Sequence, residues 1–178
     1  MPHRTLLSLG LSLCTSAALA WGPAPEPAAI PAPPGCEVPP ESEFALRYDV
    51  SFEGDIRPLM QVQNCLGCHG SAGGLSLSTQ NVRNALLGPN ETGQTSASSQ
   101  AQSLGLLRVR PFEPYASGLL LKMSCEVPPY GSRMPIGGAP DRELVALIHD
   151  WIANGALMPD SINGERLFIG SFERIARP

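Results

Sequence analysis

Histidine is scarce in this chain of 178 residues, with three in all, at positions 3, 69 and 149. That leaves too few nitrogen ligands to complete a second Cys/His pair, which a closed four-ligand zinc site would want. Basic residues are also few, 12 against 16 acidic, and the formal net charge of -4 becomes -5 once a leader carrying Arg4 and no acidic residue is removed. Nucleic acid is a poor partner for a chain of that sign, because phosphates call for a basic face. After the first twenty residues no apolar run is long enough to cross a bilayer. No Ser/His/Asp constellation, phosphate-cradling glycine loop, paired-carboxylate motif or internal repeat stands out either, so no autonomous catalytic activity is expected.

What is present begins with a secretory leader. Residues 1–20 combine Arg4, an apolar run from Leu6 to Leu13 and the small-residue end Ala18-Leu19-Ala20, the three regions of a signal peptide cleaved after Ala20. An uncleaved anchor fits less well, since the run is short for a membrane span. Cys14 follows Leu13, where a lipoprotein signal prefers a small residue, so lipidation is a minor alternative. Residues 21–43 are rich in proline and alanine, offer few side chains to bury and read as an extended linker. Residues 44–160 form the domain and 161–178 a C-terminal extension. The mature protein is expected in the periplasm or otherwise exported, with no membrane span.

The domain reads as all-α, with a few short helices and long loops. Phe44, Leu46, Tyr48, Val50 and Phe52 alternate with more polar residues, which suits an extended lead-in or a short strand. Helical spacing predicts a first helix over residues 55–64 with Pro58 in its first turn, and short helices over 79–87 and 115–123. Residues 90–103 are polar and of low complexity, a surface excursion. The last helix starts at Pro140-Asp141, buries Leu144, Ile148, Trp151 and Ile152, and ends at Gly155.

Chemistry concentrates in Cys65-Leu66-Gly67-Cys68-His69, a C-x-x-C-H run. Such a run is the attachment site of c-type haem: two thiols three positions apart add to the haem vinyl groups, and the next residue sets an imidazole under the iron. A thioredoxin-like pair would follow a strand and open a helix within a βαβ unit, whereas this pair ends a helical segment. Met134, in the loop Gly131-Ser132-Arg133-Met134-Pro135-Ile136-Gly137-Gly138, is the candidate for the second axial ligand, because Pro135 restricts the residue before it. Met60, Met123 and Met158 compete as thioethers. His149 offers bis-histidine ligation but flanks the apolar face of the last helix.

The runs Phe52-Glu-Gly-Asp-Ile-Arg-Pro-Leu-Met, Asn64-Cys-Leu-Gly-Cys-His-Gly, Gly74-Leu-Ser-Leu, Met134-Pro and Trp151-Ile-Ala-Asn-Gly-Ala together resemble the small monohaem domains of the cytochrome c superfamily, closest to planctomycete-type and related environmental bacterial ones. The resemblance spans residues 52–157. It implies a cytochrome c-like fold around one covalent haem, Cys65 and Cys68 as thioether positions, and His69 and Met134 as axial ligands of the iron. It also implies that the first and last helices cross through Ile56, Leu59, Ile148 and Trp151. The excursion and the tail depart from the smallest members.

Cys36 and Cys125 are left over, and an even remainder in an oxidising compartment predicts a disulfide between them, against two free thiols. The leading function is transfer of single electrons to a redox partner protein. Arg57, Arg108, Arg110, Lys122 and Arg133 lie near the pocket segments and could give it a local basic rim. The rivals are a haem module that binds a diatomic gas or peroxide at an open site, and a tethered haem domain of a larger envelope enzyme.

Overall fold

The computed structural model describes residues 30–78 and 81–158. The leader with Cys14, the first part of the linker and the C-terminal extension lie outside the described residues. Among those described the chain is helical and has no strand, only isolated bridges from Thr95 to Leu107 and from Leu107 to Ser117.

A π-helical turn, Phe52–Ile56, runs directly into α1 (Arg57–Val62). Its start is fixed reciprocally. The Ser51 hydroxyl accepts from Gly54 N–H at 3.1 Å, and the Asp55 carboxylate accepts from Ser51 N–H at 2.8 Å, which satisfies amides that have no helical partner. Pro58 stands in the first turn of α1, where an amide hydrogen is not missed. The helix expected over 55–64 is thus present with an earlier, wider first turn. Asn64 then takes a left-handed conformation, φ 55°, which its short polar side chain tolerates, and breaks α1 from the single turn α2 (Cys65–Cys68).

Four further short helices follow: α3 (Val82–Leu87), α4 (Ser99–Ser103), α5 (Gly118–Ser124) and α6 (Arg142–Ala153), with 3-10 turns at Ala72–Gly74 and Pro114–Ala116. The expected helix over 79–87 begins at Val82, and the one over 115–123 is split by Ser117, whose hydroxyl donates to Glu113 O at 2.9 Å and accepts from Arg110 N–H at 2.8 Å. At α6 the Asp141 carboxylate caps Leu144 N–H at 2.9 Å, and Gly155, φ 98°, turns the chain away at its end.

The core forms where α6 lies against the π-helical turn and α5. Leu144, Ile148, Trp151 and Ile152 are buried with Phe52, Ile56 and Met60. The Phe52 and Trp151 rings pack at 5.0 Å between centroids, and Trp151 Nε1–H donates to Leu157 O at 2.7 Å, so the indole is buried without an orphan donor. Burial of each such large apolar side chain stabilises by roughly 1.5–3 kcal/mol.

Two segments depart from their sequence pattern. The alternation over 44–52 builds no strand: Tyr48 is exposed and Leu46 faces outward, while the backbone at Arg47 is held by side chains of α6. Arg47 N–H donates to Asp150 Oδ2 at 2.9 Å, and Asn154 Nδ2 donates to Arg47 O at 2.9 Å. The described part of the linker is also tied down. A disulfide joins buried Cys36 to buried Cys125, Glu126 N–H donates to Gly35 O at 2.8 Å, and Glu43 pairs with Arg142. No helix among the described residues is long and apolar enough to cross a membrane.

Candidate functional site

The C-x-x-C-H run opens onto a cavity of about 230 Å³. Its wall carries Cys65 and His69 together with Met134, and the remaining lining is largely apolar, from Met60, Leu75, Leu77, Leu86, Leu119 and Met123. Native interiors hold few voids larger than a water molecule, so a cavity of this size stands out from an ordinary packed core.

Local sequence explains how the run is presented. Gly67 leaves room for the Asn64 side chain, which would have to move aside if a Cβ stood there. His69 follows α2 with its backbone pinned twice: its N–H donates to Cys65 O at 2.8 Å, and its carbonyl accepts from Leu77 N–H at 2.7 Å. The imidazole is fixed as well. Nδ1 lies 3.1 Å from Ala72 O, and since a carbonyl only accepts, Nδ1 carries a hydrogen and the neutral ring has its lone pair on Nε2. That is the tautomer of a histidine that binds metal through Nε2 while a backbone carbonyl orients the ring.

Cys65 is half-buried and Cys68 exposed, and both thiols are free, in contrast to the bridged Cys36 and Cys125. Burial pushes the Cys65 thiol above its ordinary pKa, the reverse of the depressed value that a disulfide-exchanging C-x-x-C pair uses. Among the described residues no three His, Cys, Asp or Glu side chains converge on a metal position.

Met134 enters the cavity wall from the loop between α5 and α6. Its N–H donates to Lys122 O at 2.8 Å, and the bond to Pro135 is cis. Met60 and Met123, placed by the sequence in helices as packing residues, line the same cavity, whereas Met158 is buried in the core without reaching it. His149 does not line the cavity: its Nδ1 sits 3.0 Å from Asp150 Oδ1 and its ring 5.7 Å from that of Tyr115.

The expected basic rim takes a different form. Arg57 is buried, paired with Glu53 and donating to Leu77 O at 2.8 Å, so it is a structural cation and not a rim residue. Arg110 lies beside Glu113. Arg108 and Lys122 line the cavity itself, with Tyr130, Ser96 and Ser98 as further polar residues of its wall. Arg108 donates to Ala85 O and to Gly74 O, each at 2.7 Å, and Lys122 Nζ lies 4.7 Å from the Tyr130 ring centroid. Burial pushes both cations below their ordinary pKa values and Tyr130 above its own. Among the described residues neither cation has a carboxylate partner.

The residues at hand fit a haem in part: Cys65, the oriented imidazole of His69 and three thioether side chains stand in the wall of an apolar cavity with two cations beside them, whereas Cys68 is exposed and does not line it. Sequence reasoning missed Ser96, Ser98 and Tyr130, since polar loop residues carry no local signal of what they will face. No protein-family model matches the chain, no curated protein is similar to it, and no solved structure matches its fold.

Proposed function

We propose that this protein is an exported monohaem c-type cytochrome of cytochrome c-like fold that passes single electrons to a redox partner protein. The observation that carries the reading is the meeting of Cys65, His69 and Met134 on one largely apolar cavity, with His69 Nδ1 tied to Ala72 O so that Nε2 is the free nitrogen. Cys65 and Cys68 would hold one haem c as thioethers, and His69 and Met134 would be the axial ligands of its iron. When bound, the haem supplies a one-electron ferric–ferrous couple.

The chain does the rest. The Ala72 carbonyl holds the imidazole in the required tautomer, and Lys122 O holds the backbone of Met134. Leu75, Leu77, Leu86 and Leu119 exclude water, which lowers the reorganisation that accompanies a change of charge. Arg108 and Lys122 place positive charge at the cavity wall, which favours the reduced state. If His69 and Met134 both held the iron, the protein would leave no position for a substrate, which is why electron transfer is preferred here to gas or peroxide chemistry. The disulfide between Cys36 and Cys125 suits an oxidising compartment outside the cytoplasm.

The test is expression in a host that matures exported c-type cytochromes, followed by a denaturing gel stained for haem and a redox-titrated visible spectrum. Haem that survives denaturation, with a low-spin spectrum and a single one-electron wave, is expected. A protein that emerges without covalent haem, although both cysteines are intact and the leader is cleaved, removes the reading.

A further inference from the structure

The polar excursion between α3 and α5 has a shape the sequence does not disclose. Its two ends are held side by side: Thr95 and Leu107 form a bridge, and Arg108 N–H donates to Gln94 O at 2.7 Å. Between them the chain packs on itself. Ser98 caps α4 by accepting from Ala101 N–H, Leu106 N–H donates to Ala101 O at 3.0 Å, Gln102 Nε2 donates to Ser96 O at 2.8 Å, and Ala101 is fully buried. This is an Ω-loop, a compact surface loop with adjoining ends.

Its outer edge rests on two other cavity segments. A Cβ on Gly74, five residues after His69, would lie 2.8 Å from the Ala97 Cβ, so that glycine is what lets the loop come this close. On the other side the Ser96 side chain lies beside Tyr130, and Gln100 Nε2 donates to Pro129 O at 3.3 Å, just before the loop that carries Met134. Ser96 and Ser98 meanwhile face the cavity. The loop therefore spans from the His69 side of the cavity to the Met134 side. Residues 95–105 are held only slightly on both sides, by the approach of Ala97 to Gly74, the contact of Ser96 with Tyr130 and the Gln100 hydrogen bond, and Ala101 is the one side chain among them that is fully buried; the far end is anchored, since Leu106 packs against Cys36, Leu121 and Cys125 and Leu107 O accepts from Gly118 N–H at 2.8 Å. Segments held by so few buried contacts open locally without global unfolding.

We propose that residues 95–105 are a lid over the cavity, and that its closure keeps small external ligands from the distal side of a haem bound there. The inference rests on the proposed function. It assigns the excursion the task of separating electron transfer from gas binding: a closed lid guards the Met134 side even when the thioether momentarily leaves the iron.

The experiment uses the haem-loaded Met134→Ala protein, whose distal position is open, and reads the rate at which carbon monoxide binds the ferrous form after flash photolysis. Two lid variants are compared in that background. One replaces residues 96–105 by two glycines across the adjoining ends, and the other, Ser96→Ala with Gln100→Ala, cuts both ties to the Met134 side without shortening the chain. Either variant binds carbon monoxide about tenfold faster than its parent if the lid gates access. Rates within about twofold of the parent in the double variant, with haem still covalent, overturn the proposal even if the excised protein does not fold. A Met134→Ala parent that keeps covalent haem yet binds no carbon monoxide overturns it too, since the lid then guards no open position. A parent without covalent haem instead removes the functional reading, and the lid falls with it.

Discussion

Arg108 donates through Nη1 to the Ala85 carbonyl at 2.7 Å, where a helical amide would ordinarily do so. The amide four residues on belongs to Pro89, which has no hydrogen to give, so the last turn of α3 needs a donor from outside. The same guanidinium reaches Gly74 O through Nη2, and so links the loop after His69 to α3.

Arg108→Gln removes both bonds and the charge together. A loss of about 2 kcal/mol in urea unfolding is expected, since a buried carbonyl left unpaired costs roughly 1–3 kcal/mol. In the haem-loaded protein the reduction potential falls as well, because a cation that favours the electron-rich state is gone. Arg108→Lys should recover most of the potential but little of the stability, one ammonium being unable to copy the fork. Equal stability in all three proteins would show that water satisfies Ala85 O instead.

Gly118 and Tyr130 are matched by space. A Cβ at Gly118 would lie 2.4 Å from Tyr130 Oη and 3.1 Å from Leu107 O. Gly118→Ala should therefore destabilise by roughly 1–3 kcal/mol through overpacking, measured by urea unfolding. Tyr130→Phe removes the atom that is struck first. The double variant should lose less than the sum of the two single ones, a coupling that a double-mutant cycle measures directly. Strict additivity would mean that Leu107 O, not the phenol, is the obstacle.

Cys65 gives a pH dependence that separates the haem-free protein from the loaded one. Burial raises its thiol pKa, so the folded state holds the proton more tightly than the unfolded chain does. The stability tied to that proton is fully present below the ordinary thiol pKa and is lost as pH rises through the higher folded value. In haem-free protein, alkylation of half-buried Cys65 should lag that of exposed Cys68 and reach half its limiting rate above the ordinary thiol pKa, followed by peptide mass mapping. With haem attached neither sulfur titrates, and the alkaline loss of stability tied to Cys65 should vanish. Equal alkylation profiles for the two thiols would contradict the burial of Cys65.

How much of this could be read from the chain follows from how local each feature is. The C-x-x-C-H run and the α6 cap at Asp141 lie within a few residues, and both are recognisable from spacing alone. The alternation over 44–52 left a lead-in segment or a short strand open, and no strand forms because Asp150 and Asn154 take up the backbone groups of Arg47 that a partner strand would need. Arg57 and Arg108 looked like surface charge. Their burial depends on the carbonyls of Leu77, Ala85 and Gly74, brought in from up to 34 residues away. The excursion gave no hint of its place on the cavity for the same reason.

The disulfide bears on stability more than on the site. Cys36 and Cys125 are separated by 89 residues, and closing a loop of that length in the unfolded chain is worth up to about 4.5 kcal/mol on the chain-entropy account. Cys36→Ser with Cys125→Ser should lower the unfolding free energy by about 2–4 kcal/mol while haem attachment continues. Both sulfurs are buried, so reductant should act on the native protein only slowly. Rapid reduction under native conditions would indicate that the 30–43 segment opens by itself.

Met134 decides between the ligand sets. If its sulfur holds the iron, Met134→Ala opens the sixth position, lowers the reduction potential and admits carbon monoxide or cyanide, while His69 and the two thioethers keep the haem in place. Met134→His should stay low-spin at a still lower potential, since imidazole favours ferric iron more than a thioether does. Met60 and Met123 line the same cavity and are the rivals that geometry leaves standing, because each is buried on a helix with its sulfur side chain in the wall. Met60→Leu and Met123→Leu conserve volume and should cost less than about 1.5 kcal/mol. They should also leave the spectrum unchanged, because a ligand would be lost but a packing residue merely replaced. His149, engaged with Asp150 and Tyr115 away from the cavity, should be silent as His149→Ala in both spectrum and potential. A wild-type spectrum in Met134→Ala, together with a changed one in Met60→Leu or Met123→Leu, would move the axial position to the helix that carries the affected residue and leave the loop between α5 and α6 with a packing role alone.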